Sequence, residues 1–332
     1  MTFEVRGRSV IQPKIDKNAR QFIAEFIRNF NQNILKFDPN KKMLINDKEI
    51  INTIKYIYSM IKENYRIVHK NLNEDLTLSL VGLTYTTYFS LAVNQDDHSN
   101  PMSKDFNDEN LGTLKPNELY ENMIGIISNH ILSIIKLIEG GLDTSARALL
   151  RVLAETIYIF IIVFSSKKHF LSYCNGMNDE DARLIWYKFF TPKKTEVELR
   201  KIESRIGLPD KIISEINSMR TSIYKEFSSV VHSSAYTSII GSYAFDFHDD
   251  KLHIGIGGKA SKASKNTLAT LNWLLFYFAL MTKGILNQIF EFKPRSDNQM
   301  WRAVFPIREC FIGMYLKITY KDEYVGNTLN VT

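Results

Sequence analysis

Apolar residues recur at helical spacing along most of the chain. Between Lys17 and Phe37, Phe22, Ile23, Phe26, Ile27, Phe30 and Ile34 share one face, which predicts an amphipathic helix broken by Asp38, Pro39 and Asn40. Asp47 is placed to cap a second helix, in which Ile50, Ile54, Ile57, Tyr58 and Ile61 repeat before the chain turns polar near His69. A third helical stretch, Asp75 to Val93, is rich in Leu, Tyr and Thr. The densest turn formers follow from Gln95 to Pro116, which reads as a surface loop or linker. Asn117 to Glu139 is again amphipathic. It stops at Gly140 and Gly141 and passes to a helix capped by Asp143 or Thr144, the pattern of an antiparallel helical hairpin.

The stretch from Asp143 to Phe164 differs from the rest. It is apolar nearly all round, except for a narrow stripe where Arg147, Arg151, Glu155 and Tyr158 fall within about 80° of one another at 100° per residue. Such a helix belongs in a domain interior. Its charges must then be paired or open to a cleft, because desolvating one alone costs several kcal/mol. The partner predicted for this stripe is the column Tyr224, Ser228 and His232, spaced by four on a helix opened by Pro209. Arg220, near the apolar edge of that helix, is read as a second counter-ion for Glu155.

Two shorter, more polar helices, Asp179 to Phe190 and Thr195 to Ile206, lie between these stretches. The period then changes: Ser238 to Phe247 and Lys251 to Ile256 predict a small β-hairpin before a last long helix, Asn266 to Phe292. From Pro294 the chain mixes Trp301, Pro306 and the strand-like YLKITY and predicts no clear element. The fold class expected is mainly α, a bundle of long antiparallel helices with a small β-hairpin inserted before the last long one. The expected divisions are a helical region at 1–95, a loop at 96–116, the bundle at 117–293 with its hairpin at 238–256, and an extension at 294–332.

Composition narrows the classes. A hydrophobic share of 45% and a charged share of 23% suit a soluble globular chain, and 21 Phe and 16 Tyr against 15 Gly and 8 Pro favour long helices. The net charge of +6 permits a polyanionic partner without naming one, since Lys and Arg are scattered. Cys174 and Cys310 form no metal or redox motif, so a reducing cytoplasm is the expected compartment. The most apolar segments, Ile157 to Phe164 and Leu268 to Met281, fall short of the roughly 20 residues of a bilayer span, so no stable membrane insertion is expected. The acidic residues between Asp96 and Glu109 lack the ligand order of an EF-hand, no HExxH or GxSxG motif occurs, and no metal or cofactor is expected.

Two constellations carry candidate chemistry. In the first, Arg147 and Arg151 would hold phosphate, His232 would exchange protons, Glu155 would orient them, and Tyr224 and Ser228 would contact substrate. The same groups equally compose a closed polar network that only fixes helix register. In the second, GIGGKASKAS at 255–264, glycine amides and Lys259 ahead of a helix suggest phosphate binding, although GxxxxGK[ST] is absent; a flexible hairpin exit is the alternative.

The runs ARALLRVLAET and YKEFSSVVHSSA, with Arg151 and Glu155 as an Arg-x3-Glu pair and Ser228 and His232 as a Ser-x3-His pair, resemble an uncharacterised bacterial family of helical domains. That family is related to the HEPN (higher eukaryotes and prokaryotes nucleotide-binding) bundles, and the resemblance spans Asn117 to Phe292. It implies a dimerising bundle in a toxin or phage-defence setting, with RNA as partner and metal-independent cleavage as activity. HEPN ribonucleases place an Arg shortly before the catalytic His on one helix. The nearest such residue here is Arg220, so Arg147 or Arg151 would have to act from another helix. The alternative is a non-catalytic interaction or assembly module.

Overall fold

Helix α5 (Asp143–Ser165) runs through the centre of the molecule, with Leu150, Leu153, Ile157 and the run Phe160–Ser165 buried. The computed structural model describes residues 16–36, 45–95, 116–174, 176, 179–231, 243–245, 247, 252–254, 258–292 and 298–320. Before α5 come α1 (Lys17–Ile34), α2 (Asp47–Asn71), α3 (Asn73–Gln95) and α4 (Pro116–Glu139). After it come α6 (Lys167–Cys174), α7 (Asp179–Ile185), a π-helical turn Trp186–Phe190, α8 (Pro192–Arg205) and α9 (Asp210–Val231). The chain closes with α10 (Ala263–Gly284), a second π-helical turn Ile285–Ile289, and α11 (Gln299–Thr319).

Local chemistry sets the boundaries. Asn46, rather than Asp47, caps α2, in a reciprocal box with Glu49. The α4–α5 turn closes with Gly141 at φ +78 and the Leu142 amide donating to the Leu137 carbonyl. Neither Asp143 nor Thr144 caps α5, whose N-cap is Leu142. Asp143 instead accepts a hydrogen bond from Thr267 on α10 at 2.7 Å and pairs with Arg147 at 2.9 Å.

Helix α5 packs against α4, α6, α8, α9 and α10, while α3 packs against α4, α10 and α11. One hydrophobic core runs from Val68 on α2 to Tyr315 on α11, and within it Phe89 makes edge contacts with Phe164, Phe278 and Trp301. The C-terminal run that looks strand-like in sequence is helical. Asn298 caps α11 by accepting from the amides of Met300 and Trp301, and Pro306 is carried inside the helix.

The expected β-hairpin over 238–256 has to be withdrawn as a part of the architecture. Among the described residues, extended pairing is confined to three residues a side, Tyr243–Phe245 against Leu252–Ile254, too little to bury a face of its own. The fold is an all-helical bundle. Helices α3, α5 and α10 with its π-helical continuation are each long and apolar enough to cross a membrane, longer than the two short apolar runs the sequence singles out. In this structure all three pack into the one core.

Candidate functional site

A cavity of about 300 Å³ opens between α5, the Trp186–Phe190 turn, α8 and α9. Helical spacing explains why these elements line it. Arg151, Glu155 and Tyr158 succeed one another at steps of four and three on α5, and Arg220 and Tyr224 are four apart on α9, so each set stands along one edge. The π-helical turn presents Trp186 and Phe190, and Pro192 in the first turn of α8 starts the next wall. Ile159, Leu199 and Ile223 complete mostly apolar sides. Trp186 remains 41% exposed at the mouth.

Four of the predicted groups meet at the rim. Arg151 donates from Nε to Glu155 Oε1 at 3.1 Å and from Nη1 to Ser228 Oγ at 3.1 Å, and its guanidinium carbon stands 5.0 Å from the centre of the Tyr224 ring. Its Nη2 makes no hydrogen bond to any described residue. Glu155 is 48% exposed, so water screens the pair. Lys193 and Lys225 add exposed cations to the same rim, and Glu196 is engaged by Arg200 at 2.9 Å.

Beneath the rim lies a second ion pair that the sequence does not disclose. Arg220 does not serve Glu155; it pairs through Nη1 and Nη2 with Glu203 of α8, which is fully buried. The Tyr277 hydroxyl of α10 donates to Glu203 Oε1 at 2.8 Å and accepts from Arg220 Nη1 at 3.1 Å. Burial alone would depress the Arg220 pKa, but Tyr277 and Glu203 more than offset it and the guanidinium stays protonated. Arg220 Nε and the Tyr158 hydroxyl are buried and have no hydrogen-bond partner among the described residues, although other parts of both side chains line the cavity. Desolvation pushes the Tyr158 pKa far up, so its hydroxyl keeps its proton.

The other predicted groups lie elsewhere. Arg147 turns to the start of α10, donating to Thr267 Oγ1 at 3.2 Å and pairing with Asp143, with Glu226 at 3.7 Å. Lys259 lies at another corner: its amide donates to the Gly141 carbonyl, and Asn64 joins the Gly140 and Gly258 carbonyls to the Ala260 amide at 3.0 Å each. Those amides serve the fold and do not form a phosphate cradle. His232, residues 255–257 and the acidic run from Asp96 to Glu109 lie outside the described residues. Among the described residues, no cluster of three or more His, Cys, Asp or Glu side chains assembles to hold a metal. Comparison with protein-family models, with curated proteins and with solved structures finds no match for this chain.

Proposed function

We propose that the cavity takes one nucleotide of a single-stranded RNA, in line with the HEPN-like resemblance. The observation that carries this is an arginine at the mouth of an aromatic-walled slot whose volume suits a base. Trp186, Phe190 and Tyr158 supply faces for stacking. Arg151, whose Nη2 donates to no described residue, and the exposed Lys193 and Lys225 meet the phosphates. Exchange of Glu155 for a phosphate oxygen costs little, since that ion pair is screened. Cleavage through the ribose 2′-hydroxyl requires a proton carrier beside Arg151, the role proposed for His232.

The rival reading, a non-catalytic assembly module, draws on the fact that Glu155, Ser228 and Tyr224 already satisfy much of Arg151. Titration of a labelled single-stranded RNA, with product analysis on gels and growth on expression, separates the two. For nucleotide binding, Arg151→Met weakens RNA about tenfold with an unchanged melting temperature, and His232→Ala abolishes any cleavage while leaving binding intact. Wild type that neither binds nor cleaves RNA, with a marked melting loss in Arg151→Met, overturns it in favour of the network.

A further inference from the structure

We infer that the outward faces of α3 and α4 form the contact between two copies of this chain, independently of what the cavity binds. The two helices lie side by side and antiparallel: Ser128 Oγ donates to Thr86 Oγ1 at 2.9 Å, and further along Ser90 Oγ donates to the Glu121 carbonyl at 3.3 Å. The residues that follow these four in sequence, Asn129, Thr87, Leu91 and Asn122, are all exposed. On α3 the exposed positions Leu80, Thr84, Thr87 and Leu91 recur at steps of four, three and four, and on α4 Asn122, Gly125, Asn129 and Leu132 at steps of three, four and three. That is the spacing of helices that pack along a seam with other helices. Leu80, Leu91 and Leu132 remain 42%, 40% and 43% exposed, so within one copy neither line is covered.

Charge says what covers them. From Leu76 to Asn94 on α3 and from Asn122 to Ile135 on α4 there is no Asp, Glu, Lys or Arg, in a chain where 23% of residues are charged. His130, the one histidine on these runs, is held neutral by partial burial, which lowers its pKa. Loss of charge from an exposed face is the compositional mark of an interface core. A twofold contact sets identical groups opposite one another, and copies of a chain of net charge +6 repel across most of their surface. This face escapes that repulsion. A partner of opposite charge would find nothing here to pair with. A bilayer would take Asn122 and Asn129 into hydrocarbon with nothing to satisfy their amides, whereas a second copy brings amides of its own. Thr84 and Thr87 donate their hydroxyls to the carbonyls of Leu80 and Leu83, each at 2.9 Å, so water leaves the face without stranding them.

Gly125 adds a geometric reason. A glycine inside a helix weakens it, and Gly82 on α3 is explained by Leu275, whose Cδ1 stands 2.7 Å from where a Cβ would be. A Cβ at Gly125 meets nothing within 4 Å, so the fold of one copy has no use for the missing side chain. A helix of a second copy does, because bare backbone lets it approach closely. Side by side the two helices span about 27 Å by about 20 Å, on the order of 500 Å² in outline and more with side-chain relief. That approaches the roughly 800 Å² each partner contributes to a stable complex.

Sedimentation equilibrium of the full chain between about 1 and about 100 µM tests this. The mass is expected to rise from 38.5 kDa toward twice that value, and the melting temperature to rise with concentration. Thr87→Arg sets a charge against its counterpart, and Gly125→Gln adds a side chain that has open space in a single copy and none in the pair. Each raises the dissociation constant at least about tenfold and leaves the far-ultraviolet circular dichroism unchanged. Val197→Arg, at an exposed apolar residue on α8, leaves the mass as in wild type. A wild type that stays at 38.5 kDa up to about 100 µM overturns the inference. So does a dimer that survives Gly125→Gln, whose contact then lies elsewhere. So does flotation of the monomer with phosphatidylcholine vesicles that Thr87→Arg abolishes, the mark of a face covered by lipid.

Discussion

Two arginine–carboxylate pairs, one on α5 and one between α8 and α9, each contribute an arginine to the same cavity and do different work. Arg151 and Glu155 are four residues apart on α5, with the carboxylate about half exposed. Arg220 and Glu203 come from α9 and α8, are sealed from solvent, and share the Tyr277 hydroxyl. Water screens the first pair, so its contribution to stability is small and its partners can be exchanged. No water reaches the second, so each charge depends on the other, and losing one leaves the other stranded in the core. The same chemistry thus yields a replaceable contact at the rim and a fixed one at the floor.

Breaking the floor pair tests this most severely. Arg220→Met leaves Glu203 buried without its counter-ion and is expected to cost about 3–5 kcal/mol, read from urea denaturation. The double variant Arg220→Met with Glu203→Leu recovers most of that loss, because the stranded charge is gone. A single variant as stable as wild type would show that Glu203 reaches solvent or takes up a proton at little cost.

Tyr277→Phe is the intermediate case. It removes one hydrogen bond to a carboxylate and one from a guanidinium but leaves the ion pair in place, so a loss of about 2 kcal/mol is expected. A cost as large as that of Arg220→Met would mean that the hydroxyl, and not the paired charge, holds α8, α9 and α10 in register.

The contrast also explains what the sequence could and could not disclose. Arg151 and Glu155 are legible because polar groups on a helix as apolar as α5 have few reasons to be there. Glu203 sits on α8 among Glu196, Glu198, Arg200, Lys201 and Arg205, where one inward carboxylate looks like its solvated neighbours. Arg220 is visible at an apolar edge, but nothing local distinguishes Glu203 from Glu155 as its partner, since that choice depends on how α8 packs against α9. The helices themselves follow from periodicity over long segments. The hairpin that is withdrawn and the C-terminal stretch that predicts no element are both short β-branched or alternating runs. Among the described residues of 238–256 only three pair on each side, and YLKITY is drawn into α11 by a helix already capped at Asn298 and packed on α3.

The smallest effect on stability is the most informative about function. Arg151→Met keeps the length and much of the packing of the side chain while removing a pair whose carboxylate partner is 48% exposed, so unfolding is expected to shift by no more than about 1 kcal/mol. Ser228 and Glu155 each lose one donor, but Glu155 gains hydration through its exposed face. Raising salt should narrow even that difference, because screening already weakens the wild-type pair. The floor pair is beyond the reach of added salt, and the deficit of Arg220→Met should persist. A salt-independent loss of several kcal/mol in Arg151→Met would place the rim pair in the same class as the floor, and an arginine held that firmly would not be available to exchange Glu155 for a phosphate.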